Sequence, residues 1–200
     1  MSYSLKHVLP CYLFPPIGWW KLFIENPCEI EIHESWIKQT YRNRFEICGP
    51  NGRMNLIVPT VKKSRTSFAE TLIDSRENWI SHHFRSLEAG YNRSPYFEFY
   101  KDELEALLKG STGRLLELNE NALKWCMTKL EIDRELEFTK DFVKEHPSDH
   151  RLEALNSPQG EYLQVFQEKL GFTGGLSVLD LLFNLGPASG SFLYSASSSE

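Results

Sequence analysis

The chain has 200 residues, of which 41% are hydrophobic and 24% are charged, and 22 basic against 27 acidic side chains give a formal net charge of −5. This composition excludes a disordered, collagenous or disulfide-framework chain. No apolar run reaches the roughly 18 residues that a membrane-spanning helix needs, and the N-terminus lacks the charged and apolar regions of a signal peptide. We therefore expect a cytoplasmic protein without membrane insertion.

Basic residues are concentrated in the first half of the chain. Residues 38–93 contain 10 basic and 5 acidic side chains, whereas residues 102–200 contain 9 basic and 17 acidic ones. A basic zone in an acidic protein indicates either a site for phosphate or carboxylate, or charges scattered over several solvated faces. We expect no nucleic-acid partner, because the total charge is negative and the sequence has no zinc finger, ribonucleoprotein-type aromatic motif or basic helix.

The cysteines and histidines give no metal-binding pattern. None of the four cysteines belongs to a C-x-x-C pair, and we interpret them as the buried, reduced thiols of a cytosolic protein. Cys11 is the alternative candidate for a nucleophile, because it lies near the end of a predicted strand. His33, His82 and His83 could converge, but no ligand spacing argues for it. The sequence therefore predicts no metal site and identifies no cofactor.

The N-terminal half reads as strands. A strand over Leu5–Cys11, a helix over Ile17–Ile24 and a strand over Cys28–His33 predict a βαβ unit with parallel strands. The turn sequence Gly49-Pro50-Asn51-Gly52 follows the strand Arg44–Cys48 and precedes the strand Arg53–Val61, which predicts a β-hairpin. Phe68–Ile73 is predicted as a further short strand.

The rest of the chain reads as helices. They are predicted from about Ser75 to Gly90, over Tyr96–Leu108, from Thr112 to about Leu130, over Glu161–Leu170 and over Leu176–Leu185. The polar segment 146–160 reads as a mobile loop or lid. The predicted fold class is α+β: a small mixed β-sheet, made of the βαβ unit and the hairpin, packed with a mainly helical C-terminal half. We expect one domain over residues 1–194 and a flexible tail over residues 195–200.

Several polar residues stand where they could do chemistry. Arg42 and Arg44 share one face of a strand and form either a bidentate anion clamp or a solvated edge. His83 lies on the apolar face of its helix with Trp79, and is either a general base or a hydrogen-bonded core residue. Asp180 lies within an apolar helix; it faces solvent or, if buried, would pair with Arg42 or Arg44.

Taken together, the motifs TYRNR, GPNG, LIVP, W-x-x-x-H-x-x-S-x-x-x-x-Y-x-x-SPYF and LSVLDLLFNLGP resemble the WbqC-like protein family over nearly the whole chain. The segment IEIHESWIKQTYRNR is similar to the Bacteroidetes-type branch of the family. The matching residues are Tyr41, Asn43, Arg44, Pro59, Trp79, His83, Ser86, Tyr91, Ser94, Pro95, Tyr96, Phe97, Asn119, Ser177, Asp180 and Asn184.

The resemblance implies a role in bacterial surface-polysaccharide metabolism and leads to a first hypothesis. The protein would be a transferase of acyl or aminoacyl type that acts on a small anionic, sugar-containing precursor. His83 would be the general base, and Asn43 or Tyr91 would stabilise the oxyanion. The substrate-binding residues would be Arg42, Arg44, Tyr41, Ser86 and Asp180.

The second hypothesis is a non-catalytic ligand-binding or interaction protein in which the same polar residues are structural. Arg44 would then pair with Asp180 or Glu46. His83 would donate to a backbone carbonyl, and both His83 and Asp180 would be buried. The edge strand Arg53–Val61 would also permit a homodimer.

Overall fold

The computed structural model describes residues 6–38, 40–61, 66–111, 113–152, 155–156 and 160–196. Within these residues the chain forms the following strands and helices in order: β1 (His7–Pro10), α1 (Ile17–Glu25), β2 (Cys28–Glu31), β3 (Arg44–Gly49), β4 (Gly52–Ile57), a 3₁₀ turn (Phe68–Glu70), α2 (Trp79–Tyr91), α3 (Phe97–Gly110), α4 (Leu115–Lys129), α5 (Gln167–Leu170), α6 (Val178–Leu185) and α7 (Ala188–Ala196).

The βαβ prediction is confirmed, because β1 and β2 pair in parallel and α1 connects them. Pro16 precedes α1 and supplies the extended backbone at its start, as prolines do at helix N-termini. Two isolated parallel bridges extend this pairing on both sides: Val8 pairs with Asp149, and Ile30 pairs with Phe138. Four parallel segments therefore lie side by side, and their carboxyl ends meet at one edge.

The predicted hairpin is also confirmed, with β3 and β4 antiparallel and Gly49 opposite Gly52. Gly52 has a φ of +108°, a conformation that favours glycine. The hairpin forms a two-stranded sheet of its own and does not join β1 and β2 in one mixed sheet. The reason is that other groups bond to the free edge of β3: the Cys48 N–H donates to the Tyr91 hydroxyl, and the Ser177 N–H donates to the Glu46 carbonyl.

The helical half confirms the α+β class and packs against the strands. One hydrophobic core cluster contains side chains from Leu9 to Leu193. Ser177 caps α6, since its hydroxyl accepts from the Leu179 N–H at 3.2 Å. Among the described residues no helix has the length and apolar character that crossing a membrane requires.

Three predicted elements are wrong in type or extent. Phe68–Ile73 is not a strand but begins with the 3₁₀ turn, which a capping box between Ser67 and Glu70 stabilises. Helix α2 begins at Trp79 and not near Ser75, because the Asp74 carboxylate accepts from the Arg76 N–H and holds a turn there. Of the predicted helix Glu161–Leu170, only the last four residues are helical.

The C-terminal segments differ from the prediction in two further places. The described part of residues 146–160 is not a free lid, because Asp149 pairs with β1 and Arg151 and Leu155 are buried. Helix α7 was not predicted, and it includes residues 195 and 196 of the expected tail. Residues 197–200 of that tail lie outside the described residues.

Candidate functional site

Buried charges collect where the carboxyl ends of the parallel segments meet. We call Glu31, Glu34, Arg42, Asp149 and Arg151 the carboxyl-edge cluster. Four of them are buried and Asp149 is half-buried. Ligands of parallel sheets bind outside the carboxyl ends of the strands, so this edge is the place where the topology favours a site.

Ion pairs connect the members of this cluster. Arg42 donates from Nε and Nη2 to the two carboxylate oxygens of Glu34, at 2.5 and 2.6 Å. Arg151 makes a similar two-fold contact with Asp149 and reaches Glu31 at 3.4 Å. The Arg151 guanidinium holds the pKa of Asp149 below its ordinary value. Bidentate pairs of this kind fix the geometry of both side chains.

The expected clamp of Arg42 and Arg44 does not form, because Arg42 is committed to Glu34. Arg44 instead lies over the ring of Tyr41, with 5.5 Å between its guanidinium carbon and the ring centroid. The Arg44 side chain is half-buried and its Nε is buried without a hydrogen-bond acceptor. No carboxylate of the described residues forms a salt bridge with it, so the expected pairing of Arg44 with Asp180 or Glu46 is wrong.

The ring of Tyr41 packs against the Arg44 guanidinium, and the Tyr41 hydroxyl contacts the segment that contains Asn156. Its hydroxyl accepts from the Asn156 side chain at 3.0 Å. Burial and the neighbouring Glu46 carboxylate raise the pKa of Tyr41 to about 12, so the hydroxyl is protonated at neutral pH. Gly175 packs on the Asn156 carbonyl so closely that a Cβ there would lie 1.7 Å from the oxygen. This contact requires glycine.

Asn43 and His83 bind two neighbouring carbonyls, one at the last residue of β4 and one at the residue that follows it. The Asn43 amide donates to Val58 O at 2.9 Å, and His83 Nε2 lies 3.1 Å from Ile57 O. Ile57 is the residue paired with Arg44 in the hairpin. Asn43 and His83 therefore fix the backbone that faces Arg44 across the two strands.

His83 itself is 3% exposed and lies edge-on against Phe45 and Trp79. Because burial disfavours the imidazolium, the pKa of His83 falls to about 4. With Nε2–H donating to the carbonyl, Nδ1 carries a lone pair, and it has no hydrogen-bond partner among the described residues. This burial and this hydrogen bond are what the non-catalytic hypothesis predicts for His83.

Asp180 is the centre of a second, separate buried network. Its carboxylate accepts from the Tyr91 and Tyr162 hydroxyls, each at 2.7 Å, and from Gln164 Nε2 at 2.8 Å. The expectation that Arg42 or Arg44 would pair with it is therefore wrong. Burial raises the pKa of Asp180 while the three hydrogen bonds oppose that rise. The network ties Tyr162 and Gln164 to α2 and α6, which explains why residues 161–166 are not helical.

The remaining candidates are Ser86 and Cys11. Ser86 donates to the carbonyl of His82 within α2. Cys11 is fully buried, and burial raises the pKa of its thiol above the ordinary range, which favours the reading as a structural thiol. In the part of the chain that the structure describes, no group of His, Cys, Asp and Glu side chains is arranged to hold a metal ion.

Sequence reasoning did not find most of the carboxyl-edge cluster. Asp149 and Arg151 lie in a polar segment that reads as a loop, and no local pattern marks them. Glu31 and Glu34 did carry a signal, because Glu31 lies in the second half of the predicted parallel strand Cys28–His33 and Glu34 directly follows it, so both are near its carboxyl end. Tyr162 and Gln164 carried none, since only the fold brings them to Asp180.

Comparison with known proteins identifies the family. The family model described as the WbqC-like protein family matches residues 11–160, and the chain therefore belongs to this family. The matched range includes the carboxyl-edge cluster, Arg44, His83 and Tyr91, and ends before Asp180. Searches of curated proteins and of solved structures gave no match.

Proposed function

We propose that the protein binds a small anionic, sugar-containing precursor of bacterial surface polysaccharide, and that Arg44 holds the anionic group. The observation that carries this proposal is the environment of the Arg44 guanidinium and its lack of a hydrogen-bond acceptor. It is stacked on Tyr41, half-buried, and its Nε has no acceptor within the described protein.

An unpaired, buried donor is energetically unfavourable, which supports a ligand at this position. Leaving a buried donor without an acceptor costs about 1–3 kcal/mol. A phosphate or carboxylate would supply the acceptor and form a charge-assisted hydrogen bond with the planar guanidinium. Asn156, which donates to the Tyr41 hydroxyl next to it, has an amide of the kind that binds sugar hydroxyls.

The other polar residues of the family pattern receive a supporting role in this proposal. Asn43 and His83 bind the carbonyls of Val58 and Ile57, and so hold the hairpin strand opposite Arg44. We assign them as positioning residues. Asp180 and Tyr91 lie in the second network and stabilise the fold without touching the ligand.

A thermal-shift screen tests the proposal, with a panel of nucleotide sugars, sugar phosphates, acyl-CoA and inorganic phosphate. A ligand at about 100 times its Kd adds about 2.7 kcal/mol of stability, which raises Tm by several degrees in a chain of this length. We expect the shift to disappear in Arg44→Ala and to persist in Arg85→Ala, which removes an exposed arginine of α2. A shift that persists in Arg44→Ala would contradict the assignment.

A second candidate function is transfer of an acyl or aminoacyl group to the bound precursor. The observation that favours it is the unpaired, unprotonated Nδ1 of His83, which has the lone pair that a general base needs. Because His83 is buried, catalysis would require Phe45 and Trp79 to move away from it. In this case His83→Gln should abolish turnover with an acyl donor and leave the Kd of the precursor unchanged. Equal losses of turnover and binding would instead support the positioning role.

A further inference from the structure

Strand β4 is the outer strand of the hairpin, and no described residue pairs with Gly52–Ile57 on the side away from β3. The hydrogen bonds of β3 show which residues of β4 point outward. The Cys48 N–H and the Glu46 carbonyl bond to groups outside the hairpin and so point away from β4. In such antiparallel pairs the opposite residue points away as well. The backbone groups of Arg53 and Asn55, which lie opposite them, therefore face the free edge.

The same alternation makes Ile57 the third outward-facing residue of β4. Its carbonyl lies 3.1 Å from His83 Nε2. Its N–H, and both backbone groups of Arg53 and Asn55, have no hydrogen-bond partner in the part of the chain that the structure describes. All three residues are exposed. A row of unpaired N–H and C=O groups at a sheet edge is a template for another strand.

The edge of β4 lacks the features by which proteins usually block pairing. Lysines, prolines and bulges commonly protect edge strands, but Gly52–Ile57 contains no lysine or proline and pairs with β3 without a bulge. Its one charged side chain, Arg53, is neutralised by an ion pair with Glu46. Apolar surface lies on both faces of the strand, since Met54 is 36% exposed and Ile57 is 50% exposed. A partner strand would cover part of both.

The edge is complementary to a second copy of itself in one antiparallel register. When Asn55 lies on a two-fold axis, it faces the partner's Asn55, and Arg53 faces the partner's Ile57. Only this register pairs all three outward-facing residues, because any shift along the strand leaves one of them without an opposite residue in β4. The two facing Asn55 amides can each donate and accept a hydrogen bond across the axis. On the other face of the strand, Met54 lies opposite the partner's Leu56, which is an apolar pair.

We propose that the protein forms a two-fold symmetric dimer in which two copies of β4 pair antiparallel about Asn55. The two hairpins then form one four-stranded sheet. Two-fold dimers that use the same surface on both subunits are the commonest assemblies, and this pairing occupies both free edges, so that no open fibre grows. The proposal stands independently of the anionic ligand at Arg44, because it uses the outward backbone edge of β4.

Sedimentation velocity at a series of protein concentrations tests for the dimer. We expect the unaltered protein to pass from monomer to dimer between about 1 µM and about 100 µM, the affinity range of a small interface. A monomer throughout this range would overturn the proposal.

Charge substitutions at Asn55 test the position of the axis. Asn55→Lys and Asn55→Asp each place like charges face to face and should each weaken the dimer at least about fivefold. A mixture of the two variants should recover the affinity of the unaltered protein, because opposite charges then face each other. Asn92→Lys, at an exposed position at the end of α2, should dimerise like the unaltered protein.

A fourth variant replaces the charged ones if either fails to fold. Asn55→Pro lacks only an N–H that points away from β3, so the hairpin is retained and the dimer is lost. Unweakened dimers of Asn55→Lys or Asn55→Pro, or no recovery in the mixture of Asn55→Lys with Asn55→Asp, would overturn the assignment of Asn55 to the axis.

Discussion

Acidification tests whether His83 is a buried, neutral side chain that positions the hairpin. The pKa of His83 in the folded protein is about 4, against an ordinary value of 6.5. The unfolded chain therefore takes up a proton at a higher pH than the folded protein does. The contribution of neutral His83 to the free energy of unfolding is complete above pH 6.5 and is lost as the pH falls toward 4. This difference corresponds to a loss of about 2 kcal/mol by pH 5 and about 3 kcal/mol by pH 4.

Urea denaturation between pH 7 and pH 4 measures this loss. His83→Gln keeps an N–H donor for Ile57 O but does not titrate, so the difference in unfolding free energy between the unaltered protein and this variant should shrink by about 3 kcal/mol across the range. Ser81→Ala, at an exposed position of the same helix that carries no titratable group, should parallel the unaltered protein at every pH. A difference that stays constant with pH would refute the burial of a neutral His83.

Two further substitutions test how the loops are attached. Gly175→Ala should lower the unfolding free energy more than Gly171→Ala does. The two glycines have similar φ values, +68° and +71°, but only Gly175 packs on the Asn156 carbonyl. Equal melting temperatures of the two variants would contradict this contact. Asp180→Ala leaves the buried Tyr91 and Tyr162 hydroxyls without an acceptor, whereas Gln164 Nε2 still donates to Thr173 O. It should cost about 2–6 kcal/mol, measured by urea denaturation, with Asp180→Asn less destabilising. A loss below about 1 kcal/mol in Asp180→Ala would show that the network contributes little.

Local patterns predicted the parts of the fold that depend on short-range chemistry. The turn Gly49-Pro50-Asn51-Gly52 marked the hairpin, and the alternation of Cys28–His33 marked β2. The apolar helix face to which the sequence assigned Trp79 and His83 is the buried face of α2. Each of these signals lies within a few residues of the element it specifies, which is why the sequence alone was sufficient.

The partners of the polar side chains could not be predicted in the same way. Arg151 and Glu31 are 120 residues apart, and Tyr91 and Asp180 are 89 residues apart. Such pairs depend on the packing of whole elements, which no local period encodes. The dependence on packing between distant elements explains why the partners expected for Asp180 were wrong. Helix α7 was missed because its small residues Ala188–Ser191 give no amphipathic pattern.

The central claim is that Arg44 binds an anionic group at the hairpin. Isothermal titration of a hexose 1-phosphate into the unaltered protein, Arg44→Ala and Arg85→Ala tests it most directly. Loss of a hydrogen bond to a charged group costs about 1.5–3 kcal/mol, so we expect Kd to rise about 10- to 100-fold in Arg44→Ala and to stay unchanged in Arg85→Ala. Equal affinity in all three proteins, or no binding to the unaltered protein, would contradict the account.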